Sequence, residues 1–142
     1  MKFKDIHIGQ LIEKGVVEDN IDIFRISNFL KCTEEEIKEM YQKKNLDTDI
    51  LLKWCKLLEY DFFRLYSQHL ILYAPPALKI KNKKKNLPQF RKNIYTKEIV
   101  DFILEQIYKE EMTRQQVIER YGIPKTTLNK WLQKDIKDET KL

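Results

Sequence analysis

Apolar residues recur along this chain at three- and four-residue steps, and each run is introduced by a residue able to cap a helix. Ile8, Leu11, Ile12 and Val16 give the i, i+3, i+4 spacing of one buried helical face. Asp22 can cap a second helix carrying Ile23, Ile26, Phe29 and Leu30. Thr33 with Glu36 three residues on is a capping box, opening a third helix with Ile37, Met40 and Tyr41. Asp47 or Thr48 caps a fourth, with Ile50, Leu51, Trp54, Leu57 and Leu58, and Asp61 starts a fifth, FFRLYSQHLILY. Five helices over residues 1–73 suit a small orthogonal bundle, with the aromatics at this spacing read as core.

The pattern breaks at Ala74. Pro75 and Pro76 remove two backbone donors and push their neighbours out of the α region, and Pro88 interrupts the chain again. Residues 74–93 are therefore expected to link two helical units. In the second unit, residues 94–142, Thr96 caps a helix with Ile99, Ile103 and Ile107 at four-residue steps, reinforced by Val100, Leu104 and Tyr108. Thr113 and Gln116 form another capping box ahead of TRQQVIERY. Gly122 falls where a left-handed residue ends that helix, and Pro124 suits the first turn of the next, PKTTLNKWLQK. The expected fold class is all-α.

Composition agrees with this reading. Among 142 residues there are 3 glycines and 4 prolines, too few for a sheet built on many turns. An apolar fraction of 42% supports packed cores rather than disorder. No apolar run reaches the roughly 18 residues needed to span a bilayer. The start, MKFKDIHIGQ, lacks the apolar stretch and cleavage site of a signal peptide, so a cytoplasmic location is expected. Cys32 and Cys55 have neither a CxxC partner nor a Cys/His cluster, and read as reduced thiols of a cytoplasmic protein.

The net charge of +5 is unevenly placed. Residues 1–73 hold 11 basic and 13 acidic side chains, residues 74–93 hold seven basic and none acidic, and residues 94–142 hold nine of each. The excess sits in APPALKIKNKKKNLPQFRKN, where Lys83, Lys84, Lys85, Arg91 and Lys92 are candidate phosphate contacts of a basic arm. A solvated connector kept soluble by lysines is the alternative.

The unit around Gly122 carries the sharpest functional expectation. A DNA-binding helix-turn-helix needs two helices joined by a short turn, usually with glycine in it, so that the second enters the major groove. Val117 and Tyr121 are placed for the inner face of the first helix, Ile123 for the turn, and Leu128 and Trp131 as anchors of the second. Ile118 stands where a small residue is usual, which implies a wider crossing or local repacking. The outward face then carries Lys125, Thr126, Asn129, Lys130 and Gln133, with nothing acidic before Asp135. Asn and Gln can pair with adenine edges, Lys with guanine or phosphate, and Thr with a phosphate or thymine methyl. Arg114, at the start of the first helix, joins the candidate DNA contacts. An αα-hairpin with a polar outer face is the plainer alternative.

The stretch TRQQVIERYGIPKTTLNKW resembles the helix-turn-helix of bacterial insertion-sequence transposases and their small accessory frames, over about residues 94–135. Pro124 replaces the usual Ser cap. By that resemblance Lys125, Thr126, Thr127, Asn129 and Lys130 face DNA. The span from Ile8 to Tyr73 resembles the five-helix fold of phage repressors of the Cro/cI kind. Ile26, Ser27, Leu30, Cys32, Ile37 and Met40 fall at its packing positions, and Lys31 stands where Gly is usual. Across the whole chain, and most recognisably in LLKWCKLLEYDFFRLYSQHLILYAPP, the sequence is similar to short transposase-type proteins of mobile elements.

Charge argues against DNA reading by the first unit. Its expected recognition helix presents Thr33, Glu34, Glu35, Lys38 and Glu39, and carboxylates aimed at phosphates repel them, whereas binders gain affinity through cations. Carboxylates also favour a helix N-terminus, which explains them without DNA. A homodimer contact or docking of a separate transposase subunit is favoured for this unit.

Strand-transfer chemistry needs carboxylates clustered around metal ions. The acidic residues here read as caps, first-turn charges and exposed faces. His7 and His69 have no partner at ligand spacing, and no P-loop, GxSxG or HExxH occurs. No catalysis, metal or cofactor is expected. Two function classes remain: binding of double-stranded DNA, in transposition or in transcriptional control, and a protein-interaction module.

Overall fold

The computed structural model describes residues 3–74, 86–88 and 95–140, and among them the chain forms eight α-helices and no strand. The all-α expectation is met. By their contacts the residues fall into two compact units, Met1–His69 and Leu70–Leu142. The first unit thus ends one helical turn before the boundary expected after Tyr73.

The first unit contains α1 (Ile8–Asp19), α2 (Ile23–Leu30), α3 (Glu34–Gln42), α4 (Thr48–Leu58) and the start of α5 (Phe63–Tyr73). Most of the expected caps form. The Asp22 side chain accepts from Phe24 N, and Thr33 and Glu36 complete a reciprocal box. Asp61 accepts from Arg64 N at 3.3 Å. Asp47 occupies the cap position of α4 without a side-chain hydrogen bond. His7, half-buried at the boundary of the unit, caps α1 through Nδ1, which accepts from Gln10 N at 3.1 Å. His69 Nδ1 donates to the Phe3 carbonyl.

Ile8, Ile12, Ile26, Leu30, Ile37, Leu51, Trp54, Leu57, Leu58 and Phe62 form the core of this unit. α1 enters it through an unusually close approach. The Ile8 and Gly9 amides donate to the Lys44 and Lys43 carbonyls at 3.1 and 3.0 Å, satisfying two donors that a helix start leaves unpaired. A Cβ at Gly9 would lie 2.3, 2.5 and 2.6 Å from the Met40, Tyr41 and Lys43 carbonyl oxygens. No side chain fits there.

The second unit contains α6 (Lys97–Tyr108), α7 (Arg114–Tyr121) and α8 (Lys125–Thr140). Thr96 caps α6, and Thr113 with Gln116 forms the expected box at the start of α7. Its buried residues include Ile99, Ile103, Leu104, Val117, Tyr121, Ile123, Leu128 and Leu132. Val100 and Ile107 are half-buried. Tyr108, expected to reinforce the apolar face of α6, is exposed and directs its hydroxyl to α8 instead.

Candidate nucleic-acid interface

The turn between α7 and α8 is set by Gly122, whose φ of 63° and ψ of 31° are left-handed. Glycine occupies that region without the Cβ clash that other residues suffer. Ile123, 1% exposed, plugs the turn. Leu128 N then donates to the Pro124 carbonyl at 3.1 Å, so α8 starts directly after the proline. The proline ring supplies no side-chain cap, but the fixed φ favours the first turn. Val117 and Tyr121 from α7 and Leu128 from α8 are buried as the spacing predicted.

One anchor differs. Leu132, not Trp131, is the second buried residue of α8. Leu132 lies four residues from Leu128 on the same stripe. Trp131 is half-buried, meeting the Tyr95 ring edge-on with centroids 5.0 Å apart. The indole packs on the chain ahead of α6 rather than inside, and α8 is rotated accordingly. Ile118, the bulky residue at the crossing, is half-buried.

That rotation sorts the expected contacts. Lys125, Thr126, Lys130 and Gln133 are exposed, whereas Thr127 and Asn129 are half-buried on the flanks. Thr126, Lys130, Gln133 and Lys137 follow at i, i+4, i+7 and i+11, a single stripe opposite Leu128 and Leu132. Lys134 is exposed beside it. Neither Lys134 nor Lys137 is among the contacts the sequence points to. The spacing signal was there, but it is visible only once the buried stripe is fixed on Leu132. Lys83, Lys84, Lys85, Arg91 and Lys92 lie outside the described residues.

Arg114 is exposed at the first position of α7. Its charge acts on Tyr108, alongside those of Asp135 and Glu139. Tyr108 donates to Asp135 Oδ2 at 2.6 Å, and this bond to a carboxylate, then burial, holds its hydroxyl proton up to a pKa of about 12. Arg114 thus belongs to a cluster with Tyr108, Asp135 and Glu139. The two carboxylates continue the stripe of Leu128 and Leu132 at i+7 and i+11, on the side of α8 away from Thr126 and Lys130.

The first unit repeats the turn geometry with opposite charge. Lys31 adopts the left-handed conformation, φ 53° and ψ 50°, that Gly122 adopts in the second. The turn is fastened by Cys32 N donating to the Ser27 carbonyl and by Ser27 Oγ donating back to the Cys32 carbonyl. α3 then opens with Glu34, Glu35 and Glu36 in its first turn. Glu36 is used in the capping box and Glu34 pairs with Lys38 at 3.2 Å. Glu35 and Glu39 are exposed.

Among the described residues no group of three His, Cys, Asp or Glu side chains is arranged to hold a metal ion. None of the described helices is long and apolar enough to cross a membrane. No family model, curated protein or solved structure matches the chain.

Proposed function

We propose that this chain binds double-stranded DNA through α7 and α8, as a transposase-type or accessory DNA-binding component of a mobile genetic element. The observation that carries the reading is the pairing of a left-handed Gly122 turn with an α8 whose solvent face offers Thr126, Lys130 and Gln133, with no carboxylate on the helix before Asp135. Such a turn lets two short helices cross so that the second is free to enter a groove about 12 Å wide. The groups on that face suit base edges and phosphates. The basic run within residues 74–93 adds a sequence-independent attraction to the same polyanion.

The proposal gives the chain no catalytic step, places it in the cytoplasm, and gives the first unit a separate task. Its α2–α3 pair has the turn of a repressor-type reader, but α3 presents carboxylates where phosphates would lie. A contact with a second copy or with a separate catalytic subunit fits that charge better. Transcriptional control by a repressor-type protein is the second reading, favoured by the Lys31 turn and its Ser27 fastening.

Selection of bound duplexes from a random pool, followed by a salt titration of the recovered sequence, tests the proposal. A recovered motif and an affinity that falls steeply with salt are expected, and Lys125→Glu should weaken binding. No enrichment together with salt-independent behaviour would reject DNA binding in favour of a protein-interaction module. A metal-dependent strand-cleavage activity of the purified protein would overturn the non-catalytic assignment.

A further inference from the structure

The second half of α8 is longer than base reading requires, and its charges are segregated. α8 has 16 residues, or about 24 Å at 1.5 Å per residue. Thr126 and Lys137 are therefore about 16 Å apart along the axis, more than the roughly 12 Å width of the major groove. A helix that enters at its N-terminal end with Thr126 and Lys130, crossing the groove rather than following it, carries its last turns over the groove wall, where the phosphates run.

The charges on those turns match that placement. Lys134 and Lys137 are exposed on or beside the Thr126–Lys130–Gln133 stripe. Among the described residues, no ion pair joins Lys130, Lys134 or Lys137 to a carboxylate. Asp135 and Glu139 lie on the opposite side, in line with Leu128 and Leu132. Asp135 is held there by the Tyr108 hydroxyl at 2.6 Å. Asp138 sits on the flank. Of the three acidic groups of α8, Asp135 is thus held toward the unit's own body, while Asp138 and Glu139 are exposed off the Thr126–Lys137 stripe, Asp138 one turn beyond Lys134.

We infer that Lys134 and Lys137 form a second, sequence-independent contact with the phosphate backbone bordering the groove, extending the footprint of α8 beyond its reading residues. The inference rests on DNA binding by α7 and α8.

The test uses the full chain and a duplex recovered by selection. Wild type and K134Q/K137Q are compared by fluorescence anisotropy over a salt series, with circular dichroism to check that helix content is retained; glutamine at exposed helix positions keeps helix propensity. Each phosphate contact contributes about 0.9 to the slope of log affinity against log salt. The double variant should lose about 2 units of slope while its ranking of cognate over mismatched duplexes stays the same. An unchanged slope beside a salt-dependent wild type overturns this inference and leaves DNA binding standing. A reduced preference for the cognate duplex also overturns it, because the lysines would then read bases. A wild type with no salt-dependent binding removes the proposed function and the inference together.

Discussion

The Tyr108 hydroxyl donates to Asp135 Oδ2 at 2.6 Å, tying the end of α6 to the middle of α8 across 27 residues of sequence. The bond stabilises the neutral phenol, and with lesser help from burial it holds the Tyr108 pKa up at about 12. A group whose pKa is raised on folding contributes stability below its unfolded pKa, about 10 for tyrosine, and loses that contribution as the pH rises through the folded value.

The first prediction follows from that window. Tyr108→Phe should lower the melting midpoint slightly at neutral pH, the effect limited to about 1 kcal/mol or less because the pair is exposed. The gap between wild type and variant should close as the pH rises from about 10 to about 12. Tyr41, whose hydroxyl burial also pushes up to about 12, is present in both proteins and cancels. Melting curves across alkaline pH measure this, and a gap that persists undiminished would show that the hydroxyl is not the source.

Gly9 and Gly15 make a controlled pair. Gly9→Ala places a methyl within 2.6 Å of three carbonyl oxygens and should destabilise the first unit by about 3 kcal/mol or more, since neither α1 nor the end of α3 can yield without losing backbone hydrogen bonds. Gly15→Ala meets only the Leu58 Cδ1 atom at 3.2 Å. It should be near neutral, with alanine's better helix propensity offsetting the contact. Urea unfolding of the two variants reads the difference.

The two left-handed turns predict opposite signs. Gly122 has nothing within 4 Å of an added Cβ, so Gly122→Ala should cost about 1 kcal/mol through backbone strain alone. Lys31 already bears that strain at φ 53°, and Lys31→Gly should be neutral or stabilising by up to about 1 kcal/mol. Destabilisation by Lys31→Gly would indicate that the lysine side chain contributes something the turn geometry does not show.

Charge, rather than shape, is expected to keep α3 away from DNA. Replacing Glu34, Glu35 and Glu39 with glutamine leaves the Thr33–Glu36 box in place and should raise affinity for unrelated duplex DNA several-fold at low salt. Equal affinity for the two proteins in gel-shift titrations would assign the exclusion to geometry instead.

The basic run makes a prediction from sequence alone. Deleting residues 79–92 removes seven lysines and arginines and should lower the salt slope of DNA binding by several units if they contact phosphates. An unchanged slope would leave the run as a connector.

Much of the local architecture is legible in the sequence because its causes are local. Thr33 with Glu36, Thr113 with Gln116, Thr96 and Asp22 cap the helices they precede through bonds spanning two or three residues. Gly122 ends α7 because its own backbone permits it. Val117, Tyr121, Ile123 and Leu128 follow from periodicity and are buried. Less was legible at the candidate interface. The spacing points to Trp131 as the second anchor of α8, whereas Leu132 is buried there and Trp131 lies half-buried on the flank against Tyr95.

The sequence by itself therefore determined the helices, their caps, the glycine turn and the uneven charge, since each depends on neighbours a few residues away. Tertiary structure decided which way α8 turns, and with it that the stripe from Thr126 to Lys137 faces outward, the bond from Tyr108 to Asp135, and the seat of Gly9 against the Lys43 carbonyl. Those relations join residues far apart in the chain, and no local spacing encodes which of several half-apolar faces a helix turns inward.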